Sequence, residues 1–151
     1  MSAVDSAAEV GKLDAVAQAS LVRTDEVTPT ELVTWAIDRM ERLNRHLNAV
    51  ITPMYEQALA ATATLKPSGP LSGVPFMVKD LITDVAGVPF SEGSCFLRGV
   101  VSQRDSELVR RLKRAGLIIV GKTNTPRVRD GADVCKWRLG QLEPLRANWP
   151  T

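Results

Sequence analysis

Histidine, cysteine and aromatic residues are scarce in this chain: 151 residues hold one His, two Cys and 5% aromatics. A single imidazole, His46, leaves a metal site without its usual ligand. Cys95 and Cys135 make neither a disulfide framework nor a metal-binding spacing, and neither has a histidine at motif distance to make it a nucleophile. Two lone thiols fit a reducing compartment, so the expected location is the cytoplasm. The shortage of aromatics excludes a base-stacking platform, and a net charge of +2 is too small for a nucleic-acid footprint. No apolar run approaches the ~18–20 residues of a membrane span. Asp5, Glu9, Lys12 and Asp14 interrupt any signal-peptide core. Nucleic acid and membrane are therefore both excluded as expected partners.

What remains is ordinary globular material, 44% hydrophobic and 24% charged, enough for one domain with a buried core. Leu13, Val16, Ala17 and Leu21 recur at helical spacing and predict an apolar stripe over 11–23. Thr28-Pro29-Thr30-Glu31 reads as a helix start, with Thr28 capping, Pro29 in the first turn and Glu31 closing a capping box. The helix that follows should bury Leu32, Val33, Ala36, Ile37, Met40 and Leu43 and stop near His46, whose charge would suit the C-terminal dipole. A short strand over 48–52 and an alanine-rich helix over 53–65 come next. Lys66 to Pro70 is a loop.

Beyond that loop the texture changes to short apolar runs. Val74 to Val78 predicts a buried strand leading into Lys79-Asp80, and 87–99 predicts a Gly- and Ser-containing loop. Asp105 can cap a helix with Leu108, Val109 and Leu112 inside and Arg110, Arg111, Lys113 and Arg114 outside. Glu107 lies within reach of Arg110 and Arg111, so this cluster reads as a solvated face. Gly116 stops the helix, and Leu117 to Val120 predicts a fully buried strand, of the kind found in parallel sheets covered by helices. The expected class is α/β, with N-terminal helices followed by part of a mixed sheet flanked by helices.

Two lysines invite a chemical reading. Gly116 to Thr123 fits the P-loop formula G-x-x-x-x-G-K-S/T, but its variable residues are Leu, Ile, Ile and Val. A phosphate cradle needs a turn there and these residues make a strand, so the match is a decoy. Lys79 follows an apolar strand and has two readings. It can pair with Asp80 or another carboxylate, or reach water along its stem. Alternatively, burial favours the neutral amine, and Lys79 acts as a base.

The stretch Gly69-Pro70-Leu71-Ser72-Gly73-Val74-Pro75-Phe76-Met77-Val78-Lys79-Asp80 resembles the amidase signature family. The likeness continues through Gly87, Gly93-Ser94, Asp105 to Val109, Leu112 to Gly116, and Val120-Gly121-Lys122-Thr123-Asn124-Thr125-Pro126. Thr30-Glu31-Leu32 and Leu47-Asn48-Ala49-Val50 fit the same family's opening. These ends look especially like the branch that hydrolyses cyclic nylon oligomers. The resemblance implies hydrolysis of small-molecule amides by a Ser–cis-Ser–Lys triad, with no metal or organic cofactor. Lys79 matches the triad lysine. There a neutral lysine draws a proton through a bridging serine while a second serine attacks the carbonyl.

The resemblance also places both triad serines downstream of the Thr-Asn-Thr-Pro motif, and residues 127–151 contain no serine. The expected division is an amidase-like part over 1–126 and a divergent tail over 127–151. Residues 1–126 carry 14 basic and 14 acidic residues, which leaves 5 and 3 for the tail. The family typically continues with Glu-Phe-Gly where this chain has Arg127-Val128-Arg129. For one choice of codons, CGA GTT CGG GAT GGC GCC GAC GTG TGC, a frame starting one nucleotide later encodes Glu-Phe-Gly-Met-Ala-Pro-Thr-Cys. The expectation is therefore a tail thrown out of frame near Pro126, and a chain without amidase activity of its own. The rival expectation is a non-catalytic interaction module, self-associating through an exposed sheet edge.

Overall fold

The computed structural model describes residues 7–65, 69–94 and 96–125. Cys95, Cys135, Pro126, most of the Lys66–Pro70 loop and the whole 127–151 tail lie outside the described residues. The element order is α1 (Ala7–Val10), α2 (Ala15–Arg23), α3 (Pro29–Leu47), β1 (Val50–Pro53), α4 (Tyr55–Thr64), β2 (Pro75–Lys79), α5 (Glu107–Arg114) and β3 (Ile118–Thr123). The sheet order is β1-β3-β2, with β1 antiparallel and β2 parallel to β3. Helices followed by part of a mixed sheet is the architecture the sequence predicts.

β3 opens on an apolar run, Ile118 to Val120, because both of its faces are covered there. Ile118 and Val120 pack with Val33 and Ile37 of α3 and Ala58 of α4. Ile119 points the other way, into a cluster with Met54, Val78, Val85, Val88 and Val109. Alternate side chains thus serve two cores, and no polar face is needed. β2 departs from the expectation of a buried strand. It lies at the sheet edge, and only Val78 among its residues is buried, while Phe76 and Met77 are 39% and 42% exposed.

The N-terminal helices hold two corrections. α2 begins at Ala15, capped by Asp14, and buries Ala19 and Val22, whereas Leu13 and Val16 of the expected stripe face solvent. α3 starts at the expected capping box: Glu31 N–H donates to Thr28 Oγ1 at 3.2 Å and Thr28 N–H to Glu31 Oε2 at 2.8 Å. The Thr28 N–H and hydroxyl bonds hold the Glu31 carboxyl below the ordinary range. Leu32, Val33 and Ile37 are buried, but Leu43 near the far end is exposed. His46 sits inside the last turn, and Asn48 ends the helix at φ 44°. Asn44 ties that end to β1, accepting from Val50 N–H at 2.8 Å and donating to Val50 O at 2.9 Å. Thr28→Ala removes the reciprocal cap and is expected to lower stability by about 1 kcal/mol in urea unfolding. An unchanged midpoint would show that tertiary packing alone fixes the helix start.

α5 crosses from β2 to β3. Ser106, and not Asp105, is its N-cap, accepting from Val109 N–H. Asp105 instead accepts from Ala86 N–H at 2.9 Å and pairs with Lys113 at 2.7 Å. Val109 is buried and Leu112 partly so, whereas Leu108 is 47% exposed. Glu107 pairs with Arg110, Arg111 and Arg114 on the outer face, as the spacing predicts for the first two. Burial alone would push the Asp105 carboxyl up, but the Lys113 ammonium and the Ala86 N–H outweigh it and hold it below the ordinary range. As pH falls the unfolded chain therefore takes up this proton first. The stability from Asp105 is whole above about pH 4 and is lost as pH drops through the lowered folded value. Asp105→Asn is expected to flatten the acid limb of melting temperature against pH. Parallel curves for the two proteins would refute this.

Candidate active site

Lys79 is the last residue of β2, opposite Thr123 of β3. Its side chain is exposed, which corrects the expected desolvation: β2 is an edge strand, so nothing among the described residues covers this position. No carboxylate among the described residues pairs with it. The Lys79 carbonyl accepts a hydrogen bond from the Thr83 hydroxyl.

The neighbouring residue points the opposite way. Asp80 is 1% exposed and all of its polar groups are engaged. Its N–H donates to Thr123 O at 3.0 Å, and its carbonyl accepts from the Thr125 hydroxyl at 3.0 Å. Its carboxylate meets the Lys122 ammonium at 2.5 Å and the Ser91 hydroxyl at 2.5 Å, with Ser91 N–H at 3.3 to 3.4 Å from both oxygens. Lys122 is fully buried, donates to Pro89 O at 3.1 Å and lies 5.0 Å from the centre of the Phe90 ring. Ile82, next in the turn, is held at φ 54°, where a β-branched residue is strained, and its N–H donates to Glu92 Oε1 at 3.1 Å. The chain after Lys79 is thus pinned to β3 and to the 89–92 loop.

This geometry removes the P-loop reading. The string from Leu117 onward runs into β3, and the lysine of the formula is enclosed by Asp80, Pro89 and Phe90. It also accounts for two charges inside the fold. Lys122 interrupts a strand buried on both faces, and Asp80 follows Val78 into the same interior. A buried ionisable group needs a counter-charge, and each of these supplies the other's.

Comparison with known proteins gives the site its context. The Amidase family matches residues 31–138, well over half of the chain. The chain belongs to the amidase family. The 6-aminohexanoate-cyclic-dimer hydrolase of Paenarthrobacter ureafaciens is 34% identical over 139 residues, which cover 85% of this chain and 28% of that protein. A lipoamidase of Enterococcus faecalis is 40% identical over 124 residues, 82% of this chain and 17% of the relative. Among solved structures, a 6-aminohexanoate cyclic dimer hydrolase superposes with a TM-score of 0.71 at 37% identity, over 76% of this chain and 24% of that one. A bacterial aryl acylamidase of the amidase signature family superposes at 0.67 with 29% identity, over 81% and 25%. The amidase chain described here therefore spans between about a sixth and just over a quarter of the length of these relatives. Among the described residues, no helix is long and apolar enough to cross a membrane.

Proposed function

We propose that this chain carries the lysine-bearing part of a carboxamide hydrolase, and that Lys79 is the base of a Ser–cis-Ser–Lys triad. The observation that supports this reading is the position of Lys79 in a chain of the amidase family. It ends a strand that lies parallel to the central strand, its amine faces outward, and the adjacent carboxylate is committed elsewhere. In the reaction an unprotonated Lys79 amine receives a proton relayed from the nucleophilic serine by the bridging serine. The nucleophilic serine adds to the amide carbonyl, the amine leaves with a proton, and water clears the acyl group. The serines belong to a part of the domain outside residues 1–126, so the 151 residues alone do not turn over amides. The substrate is a small-molecule amide, as the names of the cyclic-dimer hydrolase and lipoamidase relatives indicate for those proteins.

A chimaera tests this. Residues 7–125 replace the matching segment of the P. ureafaciens hydrolase, and hydrolysis of the cyclic dimer and of simple amides is measured. The expected result is activity in the chimaera, none after Lys79→Ala, and none from the 151-residue chain. A folded chimaera equally active after Lys79→Ala would remove Lys79 from the mechanism. Turnover by the 151-residue chain, lost on Lys79→Ala, would overturn the expected inactivity.

Exposed apolar surface favours a second reading, an interaction module that self-associates. Phe76 and Met77 of edge strand β2, with Leu43 and Leu47 of α3, line a groove of about 250 Å³. A concentration-dependent dimer in size-exclusion chromatography, lost on Phe76→Lys, is the result that reading requires.

A further inference from the structure

The residues from Lys79 to Thr83 bend the chain, and burial sorts their side chains. Asp80 and Thr83 are buried and Leu81 is half-buried, so the bend presents Lys79 and Ile82 on its outer surface. Two bonds fix this arrangement: Asp80 N–H donates to Thr123 O at 3.0 Å, and the Thr83 hydroxyl donates to the Lys79 carbonyl. Three residues of extended chain span at most about 11 Å, and the bend brings Lys79 and Ile82 closer than that. An amide at the Lys79 amine that carries a chain of several carbons spans the gap.

Ile82 carries two costs at once. Its φ of 54° lies in the left-handed region, where a β-branched residue is a rare outlier, and it is 70% exposed. Among the other described non-glycine residues at positive φ, Asp25 and Asn48 are types that enter this region readily, and Glu92 is unbranched at Cβ. Glycine or asparagine would make the same bend with less strain. The fold instead holds an isoleucine there, with Glu92 Oε1 accepting from its N–H at 3.1 Å. An exposed apolar residue is ordinary on a protein surface, but backbone strain of this kind gathers where a site uses the residue.

We infer that Ile82 is a specificity-determining residue of the Lys79 site: it sets an apolar contact beside the amine, which favours amides with an aliphatic chain over short or charged ones. The inference deepens the assignment of Lys79 as the base and rests on it for its meaning. Glu92 supports the contact from behind, because its carboxylate holds the Ile82 N–H and with it the bend. The contact itself is readable without catalysis.

Acylation of the 151-residue chain reads that contact. The N-hydroxysuccinimide ester of acetic or of hexanoic acid is added in limiting amount at neutral pH, and each lysine is followed by peptide mass spectrometry. The ratio of hexanoyl to acetyl rates at Lys79 is compared with the ratios at Lys12 and Lys113, which pair with Glu9 and Asp105. At Lys79 it is expected to be about threefold higher, below the roughly tenfold or more that one methylene gains in a closed pocket. Ile82→Gly and Ile82→Asn suit the positive φ, so both should fold and both should remove the excess. Ile82→Leu should retain it. Equal ratios at the three lysines of the wild type, or an excess that survives Ile82→Gly, overturn the inference. In the active chimaera, Ile82→Gly is expected to lower kcat/KM for hexanamide about tenfold more than for acetamide. Equal losses on the two amides would show a structural role alone and overturn it as well. A chimaera indifferent to Lys79→Ala would cancel the catalytic reading and the specificity with it, while the acylation ratios decide the contact separately.

Discussion

Lys122→Met is expected to lower the unfolding free energy by about 3–5 kcal/mol, the cost of leaving a buried carboxylate without its counter-charge. Met fills nearly the same volume, so the loss is electrostatic and does not come from a cavity. The Asp80 carboxylate keeps the Ser91 hydroxyl and N–H, which are too few donors to replace an ammonium at 2.5 Å. A domain of this size has only about 5–15 kcal/mol of net stability, so the variant sits near the limit of folding. Removing both charges should behave differently. Lys122→Met/Asp80→Asn leaves no unpaired ion, and buried pairs replaced by neutral groups of similar volume are often neutral or better. The double variant is therefore expected within about 1 kcal/mol of wild type in urea unfolding, giving a coupling of several kcal/mol between the two sites. A Lys122→Met loss below about 1 kcal/mol would mean that water or another donor reaches Asp80.

Local signals carried most of the fold into the sequence. The Thr28 capping box, the glycine stop at Gly116 and the apolar run of β3 each act over a few residues, and each appears where the pattern places it. Failures arose where a second element decides. Asp105 and Ser106 are both good caps, and the choice between them is made by Ala86 N–H and Lys113, which draw Asp105 away. The stripe expected along α2 differs from the buried one because Ala19 and Val22 face neighbouring elements, while the larger Val16 is left in solvent. No periodicity within 11–23 records what lies next to it.

The candidate site divides along the same line. Lys79 was legible through its motif, but its exposure was not, because a run of five apolar residues reads alike in a central and an edge strand. The order β1-β3-β2 is a long-range property, set by the crossover through α5. Lys122 is visible in the string, whose dismissal as a phosphate cradle the strand bears out, but its partner is not visible there. Its partner Asp80 lies 42 residues earlier and meets it only through the register of β2 on β3, where Val78 stands opposite Lys122. A lysine inside a strand with no polar face is nevertheless a signal readable from sequence alone, since it demands a carboxylate somewhere.

Gly116→Ala is the second large effect expected, and it acts on the same register. α5 ends in a Schellman arrangement: Leu117 N–H donates to Leu112 O at 3.2 Å, Gly116 N–H to Lys113 O at 3.0 Å, and Leu112 packs near Leu117. Gly116 stands at φ +93°, where an L side chain costs about 1–2 kcal/mol. A Cβ there would also lie 2.6 Å from Ser72 Cα and 2.9 Å from Ser72 N, backbone atoms that cannot swing aside. The 71–74 segment is bound at this place, Leu71 N–H to Ala115 O and Gly73 N–H to Gly116 O, both at 2.9 Å. Displacing it shifts the start of β2, and strain of that kind adds about 1–3 kcal/mol. The total expected is about 2–5 kcal/mol. Gly87 supplies the control, since it has φ +74° with nothing within 4 Å of an added Cβ. Gly87→Ala is expected to show the conformational part alone, about 1 kcal/mol. Equal losses at the two positions would mean that the 71–74 segment yields freely. A much larger loss at Gly116 would show that the close approach of two backbones sets where β2, and Lys79 at its end, lies against β3.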